Sequence, residues 1–486
     1  MGVMINLCKL ATDRLIFPTN NYITDTAYGD KNLWDCKTNS RTNKEYRGTP
    51  MKSPHVSRRR VLQLGALAAA APSRLKGAKR SLTRSRDSKQ VDLDLPSAEK
   101  LSTKGLFMHA WDLRDEGADQ VMGWMSDSGL NQMCIASCYH SGWFVHPHHP
   151  LHRTYMTQGS VAYFQPDLKL YERTPMRPQL ASIVKEANWL AAAAERLEKF
   201  QLKMISWTIG AHNTRLGLLF PQYTVQNAYG DSIPHALSIG HDATREYLKA
   251  LCRDLASNYP MYGLQLESFG WMELHHGHHH ERDLTGLTRL EQELLAICFN
   301  SETVHKAETA GIEVGKAREI IKATLEAAFR EAPERPKGHP QTMDEIEAKS
   351  PALKAYNQFR QALADSLIME IKQEALKGTA CRLMMQTPYR KEIAQVCDGF
   401  ATWAYGEPPA RVLEIVRRDS AKSRRDWQGE FPCYIRLGMG IPSSEEQLRE
   451  IVLALKQGGS TGPIFYNYSE SPRKMLGWIK SALNEA

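Results

Sequence analysis

The chain has 486 residues, 42% hydrophobic and 24% charged, the balance of an ordinary globular protein long enough for one large barrel with insertions. Its formal charge of +8 sits at the start: residues 1–90 hold 18 Lys and Arg against 6 Asp and Glu, and the rest holds 44 against 48. The body is therefore slightly acidic and offers no basic surface for nucleic acid.

In chain order, residues 1–50 read as an extension of the gene model ahead of a start at Met51. Ser57-Arg58-Arg59-Arg60-Val61-Leu62, followed by the Ala-rich run to Pro72, looks like a twin-arginine export signal over 51–72. That assigns the Tat export machinery as a partner and a periplasmic or secreted location. The apolar run is too short for a permanent membrane span, so no stable transmembrane helix is expected. Residues 73–100 are basic and Ser-rich, a disordered linker. Beyond it stand seven cysteines without a CxxC pair, an odd set that reads as small buried side chains and not as a disulfide framework.

From residue 101 strands and helices alternate. Eight strands are expected at Gly105–Ala110, Gln132–Ser137, Lys203–Ile209, Gly263–Leu266, Arg382–Gln386, Gly399–Ala404, Cys433–Leu437 and Pro463–Tyr468. Helices are expected between them, among them Ala118–Ser128, Gln179–Lys199, Asp242–Ser257, Glu407–Arg418, Ser444–Lys456 and Ser471–Leu483. Eight such units predict an α/β fold, a (β/α)8 TIM barrel over 101–486. No GxGxxG or P-loop follows any strand, which counts against nucleotide-binding alternatives. Two connections are long: 138–178, rich in His, Pro and Tyr, and a helical insertion at about 271–380 with helices near 301–331 and 343–377. Both belong on the catalytic face.

The strand tips carry the candidate chemistry. Strand four reads Gly263-Leu264-Gln265-Leu266-Glu267-Ser268, a buried run ending on a carboxylate. A charge there is a poor choice for stability unless paired, and a good one for acid–base or nucleophilic chemistry. Glycoside hydrolysis needs a second carboxylate. Asp112 leads, ahead of Asp231, Glu281 and Glu470, because strand seven offers no acid at its tip. The structural alternatives are a helix cap or an Arg114 partner for Asp112, and an ion pair with Arg215 or Arg436 for Glu267. His109, Trp111, Tyr139, His140, Trp207, His212, Asn213, Arg215, Asn227, Asp231, His280, Glu281, Trp403, Tyr466 and Asn467 are the expected substrate-binding set, rings for sugar faces and polar groups for hydroxyls. Five of the 17 histidines fall in 275–280 and four in 146–152. Neither run has the HExxH order, so no cofactor is assigned. A divalent metal held by Glu267 with His140, His212 or His280 stays open.

Trp111-Asp112-Leu113-Arg114-Asp115-Glu116-Gly117, Tyr139-His140 running into His146-Pro147-His148, and His212-Asn213-Thr214-Arg215-Leu216-Gly217 occur in that order. Asn227-Ala228-Tyr229-Gly230-Asp231, Leu266-Glu267-Ser268 and Tyr466-Asn467-Tyr468 follow. In this the chain resembles poorly characterised bacterial proteins with glycoside-hydrolase-like (β/α)8 barrels. The resemblance implies a barrel and action on carbohydrate. The expected function is thus an exported glycoside hydrolase with paired carboxylates. The rivals are a metal-dependent sugar isomerase, epimerase or lyase, and a non-catalytic carbohydrate-binding barrel.

Overall fold

A computed structural model describes residues 101–274, 285–423, 426–438 and 440–485. The extension, signal and linker expected over 1–100, and the His run 275–280 with Glu281, lie outside the described residues.

All eight strands form: β1 (Gly105–Met108), β2 (Gln132–Tyr139), β3 (Lys203–Ile209), β4 (Gly263–Glu267), β5 (Arg382–Met385), β6 (Gly399–Phe400 continuing as Thr402–Trp403), β7 (Pro432–Arg436) and β8 (Gly462–Tyr466). Each pairs in parallel with the next, and β8 pairs with β1. The ring closes through β6, whose first half pairs with β5 and second half with β7. Stepping from Gly105 across each registered pair returns to β1 eight residues earlier, the shear of a (β/α)8 barrel.

The period of two along each strand sorts its side chains. Leu106, Met133, Met204, Leu264, Leu383, Phe400, Cys433 and Phe465 point outward into the main core beneath the helices. Phe107, Ala136, Trp207, Met384, Ala401, Tyr434 and Ile464 point inward and fill the lumen. The N-terminal end of the lumen is sealed by polar groups: Glu430 pairs with Arg382, accepts the Tyr262 hydroxyl at 2.7 Å, and receives Gln132 Nε2 at 3.4 Å. Amphipathic helices Asp242–Asn258, Pro409–Ser423, Glu445–Gln457 and Arg473–Asn484 cover the outer face. Among the described residues no helix is long and apolar enough to cross a membrane.

Several boundaries differ from the sequence reading. β1 stops at Met108 because helix Ala110–Glu116 begins at once, capped by His109. The expected helix 179–199 is a 3-10 turn at Ser182–Lys185 followed by short helices Trp189–Ala194 and Leu197–Phe200. The insertion's first long helix splits into Ser301–Thr309 and Val314–Glu331 around Gly311, whose φ of +80° a residue with a side chain rarely adopts. Its second splits at Ser350-Pro351, where Ser350 caps a new helix with proline in its first turn. The insertion has its own apolar core around Leu294, Phe299, Ile321 and Tyr356. Two hairpins that the sequence reading did not include, Trp143–Val145 with Thr154–Met156 and Thr224–Gln226 with Ser232–Leu237, lie in the connections after β2 and β3. The seven cysteines are buried and unpaired.

At the start of β8, Gly462 has a φ of +145° and a Cβ there would lie 1.8 Å from the Thr103 carbonyl. Gly462→Ala is therefore expected to destabilise the fold by about 2–4 kcal/mol in equilibrium denaturation.

Candidate active site

The last inward positions of the strands make the layer at the C-terminal mouth: His109 just past β1, Tyr139 on β2, Ile209 on β3, Glu267 on β4, Gln386 just past β5, Trp403 on β6, Arg436 on β7 and Tyr466 on β8. Sequence reading placed most of these. Gln386 and Arg436 each stand one alternation step beyond a lumen residue, Met384 and Tyr434, so periodicity alone would have added them.

Glu267 ends β4 because the chain turns there: Ser268 takes a φ of +59°, a left-handed conformation uncommon for a residue with a side chain. The turn is held by Gly210 N donating to the Glu267 carbonyl at 2.9 Å and Ala211 N to that of Ser268 at 2.8 Å. The carboxylate receives Trp207 Nε1 at 2.6 Å and, with the Gln386 amide oriented to satisfy its neighbours, the Gln386 nitrogen at 3.2 Å. No lysine or arginine pairs with it among the described residues. Arg215 instead donates to the carbonyl of Gln158 at 3.0 Å and to that of Gly159 at 3.4 Å. Burial pushes the Glu267 pKa up, and the Trp207 bond opposes that only in part.

A second carboxyl shares the mouth. Glu470 follows β8, and its pKa is also raised by burial, with Asn467 and Arg436 acting in the opposite direction. Asn467 Nδ2 donates to Glu470 Oε2 at 2.7 Å, and Asn467 Oδ1 accepts the Glu470 backbone N–H at 2.9 Å. The phenols of Tyr139 and Tyr466 lie within electrostatic reach of both Glu267 and Glu470.

Asp112 is not brought to that pair. It is fully buried in the first turn of helix Ala110–Glu116, where Oδ2 accepts the His109 backbone N–H at 2.8 Å and the Ser469 hydroxyl lies 2.7 and 2.9 Å from its two oxygens. This is the capping role, and Arg114 pairs with Asp115 instead. Burial raises the Asp112 pKa to about 7 against those two bonds. His109 is also fully buried, stacked on Trp111 at 4.0 Å with Nδ1 3.1 Å from Ser469 Oγ, and burial keeps its imidazole neutral. Trp111 is wholly buried, so it offers no face to a ligand.

Of the other expected binding residues, His140 and His212 stack at 4.2 Å beside the mouth. Asn213 caps helix Thr214–Leu219, its Oδ1 accepting Leu216 N at 2.9 Å. Asn227 and Asp231 tie the turn of a hairpin, Asn227 Nδ2 donating to Asp231 Oδ2 at 3.0 Å, and Asp231 is exposed. These are structural placements fixed by short-range bonds. His280 and Glu281 lie outside the described residues. The 146–152 histidines dock on helix Ala110–Glu116: His149 Nε2 meets Asp115 Oδ2 at 2.8 Å, and His148 Nε2 meets Glu116 Oε1 at 3.5 Å. Among the described residues no group of three or more His, Cys, Asp or Glu is disposed to hold a metal ion.

No protein-family model matches the chain, and no curated protein matches it. Solved structures of similar fold include α-L-fucosidase isoenzyme 2 from Paenibacillus thiaminolyticus, at 11% identity and a TM-score of 0.44, covering 76% of this chain and 46% of that one. A β-galactosidase from the psychrophilic Marinomonas ef1 gives 10% and 0.47, covering 79% and 59%. A GH113 β-1,4-mannanase gives 10% and 0.37, covering 80% and 100%. The chain thus spans about half the length of the first two. The barrel assignment rests on the register described above.

Two outcomes test this geometry. Removing the indole donor with Trp207→Phe should move the Glu267 titration, followed by carboxyl carbon NMR, to higher pH, because the lost bond favoured the anion. An unchanged or lower midpoint would contradict the contact. Asp112 should oppose stability as pH rises from about 4 to about 7, since the folded state holds its proton longer than the unfolded chain. Asp112→Asn should flatten that part of the denaturation profile.

Proposed function

We infer that the protein hydrolyses a glycosidic bond at the C-terminal mouth of its barrel, with Glu267 as proton donor and Glu470 as the second carboxylate. The observation that supports this is the pair itself, two half-buried carboxyls that both act electrostatically on Tyr139 and Tyr466 and have unequal neighbours. Glu267 has a raised pKa and no cation beside it among the described residues, so it holds its proton to higher pH than a free carboxyl, which suits a donor to a leaving oxygen. Glu470 has Asn467 as a donor and Arg436 as a nearby positive charge, both favouring the anion. It suits the role of base or nucleophile, and the spacing the two acids adopt around a bound sugar would decide between inversion and retention. The half-buried Trp403 and the more exposed Tyr405 border the same mouth and suit the C–H face of a sugar.

Export belongs to the same proposal, on the strength of the twin-arginine segment at 51–72, with the Tat machinery as carrier and a periplasmic or secreted destination. A metal-assisted sugar isomerisation has less support, because Glu267 is engaged with Trp207 and Gln386, and among the described residues no group of three or more His, Cys, Asp or Glu is disposed to hold an ion.

The test is a glycoside panel assayed with the wild type and with Glu267→Gln and Glu470→Gln. On any substrate that turns over, each variant should lose about 10²–10⁴-fold in kcat, as expected when an acid–base group is removed. Wild-type kcat should also fall on the alkaline side as Glu267 gives up its proton. Unchanged turnover in Glu267→Gln would remove it as the acid. Binding without turnover in wild type and variants alike would make the barrel a carbohydrate-binding module.

A further inference from the structure

The helical insertion carries an open cavity of about 370 Å3 whose walls include Trp271, Ile297, Met343, Asn357, Arg360 and Gln361. That is the size range of a small-ligand site. Arg360, on helix Pro351–Glu370, is only 9% exposed. Its guanidinium lies 4.7 Å from the centre of the Trp271 ring, and its Nη1 donates to Asn357 Oδ1 at 3.0 Å. The Trp271 indole is pinned in turn, donating from Nε1 to the Arg360 carbonyl at 2.7 Å. Arg360 Nε is buried and has no partner.

The charge is uncompensated. Burial lowers the Arg360 pKa, and the groups acting against that are the weak acids Cys298 and Tyr356, with no carboxylate among them. Three acids line the cavity and none pairs with Arg360: Glu293 pairs with Arg289 at 2.8 Å, the exposed Glu273 acts electrostatically on the same arginine, and Glu347 accepts Asn357 Nδ2 at 2.8 Å. An unpaired buried cation is costly. A planar guanidinium on an aromatic ring, at the wall of a ligand-sized cavity and with donors unused, suits a carboxylate, which it can grip through two parallel bonds.

We propose that this cavity binds the carboxylate of a sugar acid, with Arg360 as its anchor and Gln361 Oε1 open to a hydroxyl, its Nε2 being held by Asp365. The sugar part of the assignment rests on the carbohydrate reading above, whereas the Arg360–carboxylate contact stands on the cavity alone.

The experiment is a titration of the full chain with D-glucuronate, and with D-glucose as the neutral control, followed by thermal shift and calorimetry. D-glucuronate should raise the Tm saturably in the wild type and equally in Glu267→Gln, while D-glucose should not. Arg360→Met, checked for folding by circular dichroism, should weaken D-glucuronate binding at least tenfold. Should it fail to fold, Arg360→Lys should keep the charge, lose the planar fork and weaken binding tenfold. No response to D-glucuronate, an equal response to D-glucose, or binding that survives the arginine substitutions would overturn the proposal. Binding lost in Glu267→Gln yet kept in Arg360→Met would place the carboxylate at the barrel mouth, ending this proposal and leaving the mouth as a sugar site.

Discussion

Closure of the ring is the constraint from which the rest follows. β6 is the thinnest part of it: Gly399–Phe400 satisfies β5, Thr402–Trp403 satisfies β7, and Ala401 between them turns its side chain into the lumen. With all eight strands registered, the period of two leaves no choice about which residues look inward. Glu267, Trp403, Arg436 and Tyr466 arrive at the mouth because Gln265, Ala401, Tyr434 and Ile464 fill the layer below. A slip of one residue in β4 would turn Glu267 toward the apolar core around Leu264 and Leu266.

Within that frame the two mouth carboxyls are made unequal by their neighbours. Burial acts on both in the same direction. What separates them is charge: Arg436 acts on Glu470 as a positive neighbour, whereas Glu267 has only the neutral donors Trp207 and Gln386 among the described residues. Burial raises the pKa of both Tyr139 and Tyr466, which hydrogen-bond to each other, so the two phenols add no charge to the mouth.

The fold was legible because it is written in periodicity. Each barrel strand alternates or runs apolar between turn residues, and all eight were found within a few residues of their ends. The misplaced boundaries are local: β1 stops early because His109 caps a helix, and the insertion helices break at Gly311 and Ser350-Pro351. The site was legible only in part. Glu267 announced itself by standing where an apolar run gives out. Asp112 stands at a strand tip too, but whether such a residue caps a helix or faces the mouth depends on Ser469, more than 350 positions away. Asn213, Asn227 and Asp231 show the same ambiguity: the structure gives them cap and turn bonds, and Asx turns and caps use the same residue types as sugar binding. The uncompensated Arg360 carried no sequence signal, because the lack of a partner is a fact of three dimensions.

The polar seal at the N-terminal end of the barrel has a consequence for traffic. Glu430, Arg382, Tyr262 and Gln132 close the floor, and Phe107, Met384 and Ile464 fill the space above it. The mouth is therefore a blind alley. Whatever enters it must leave by the same door, so departure and arrival compete for one opening. The loops around that opening therefore frame the route in both directions.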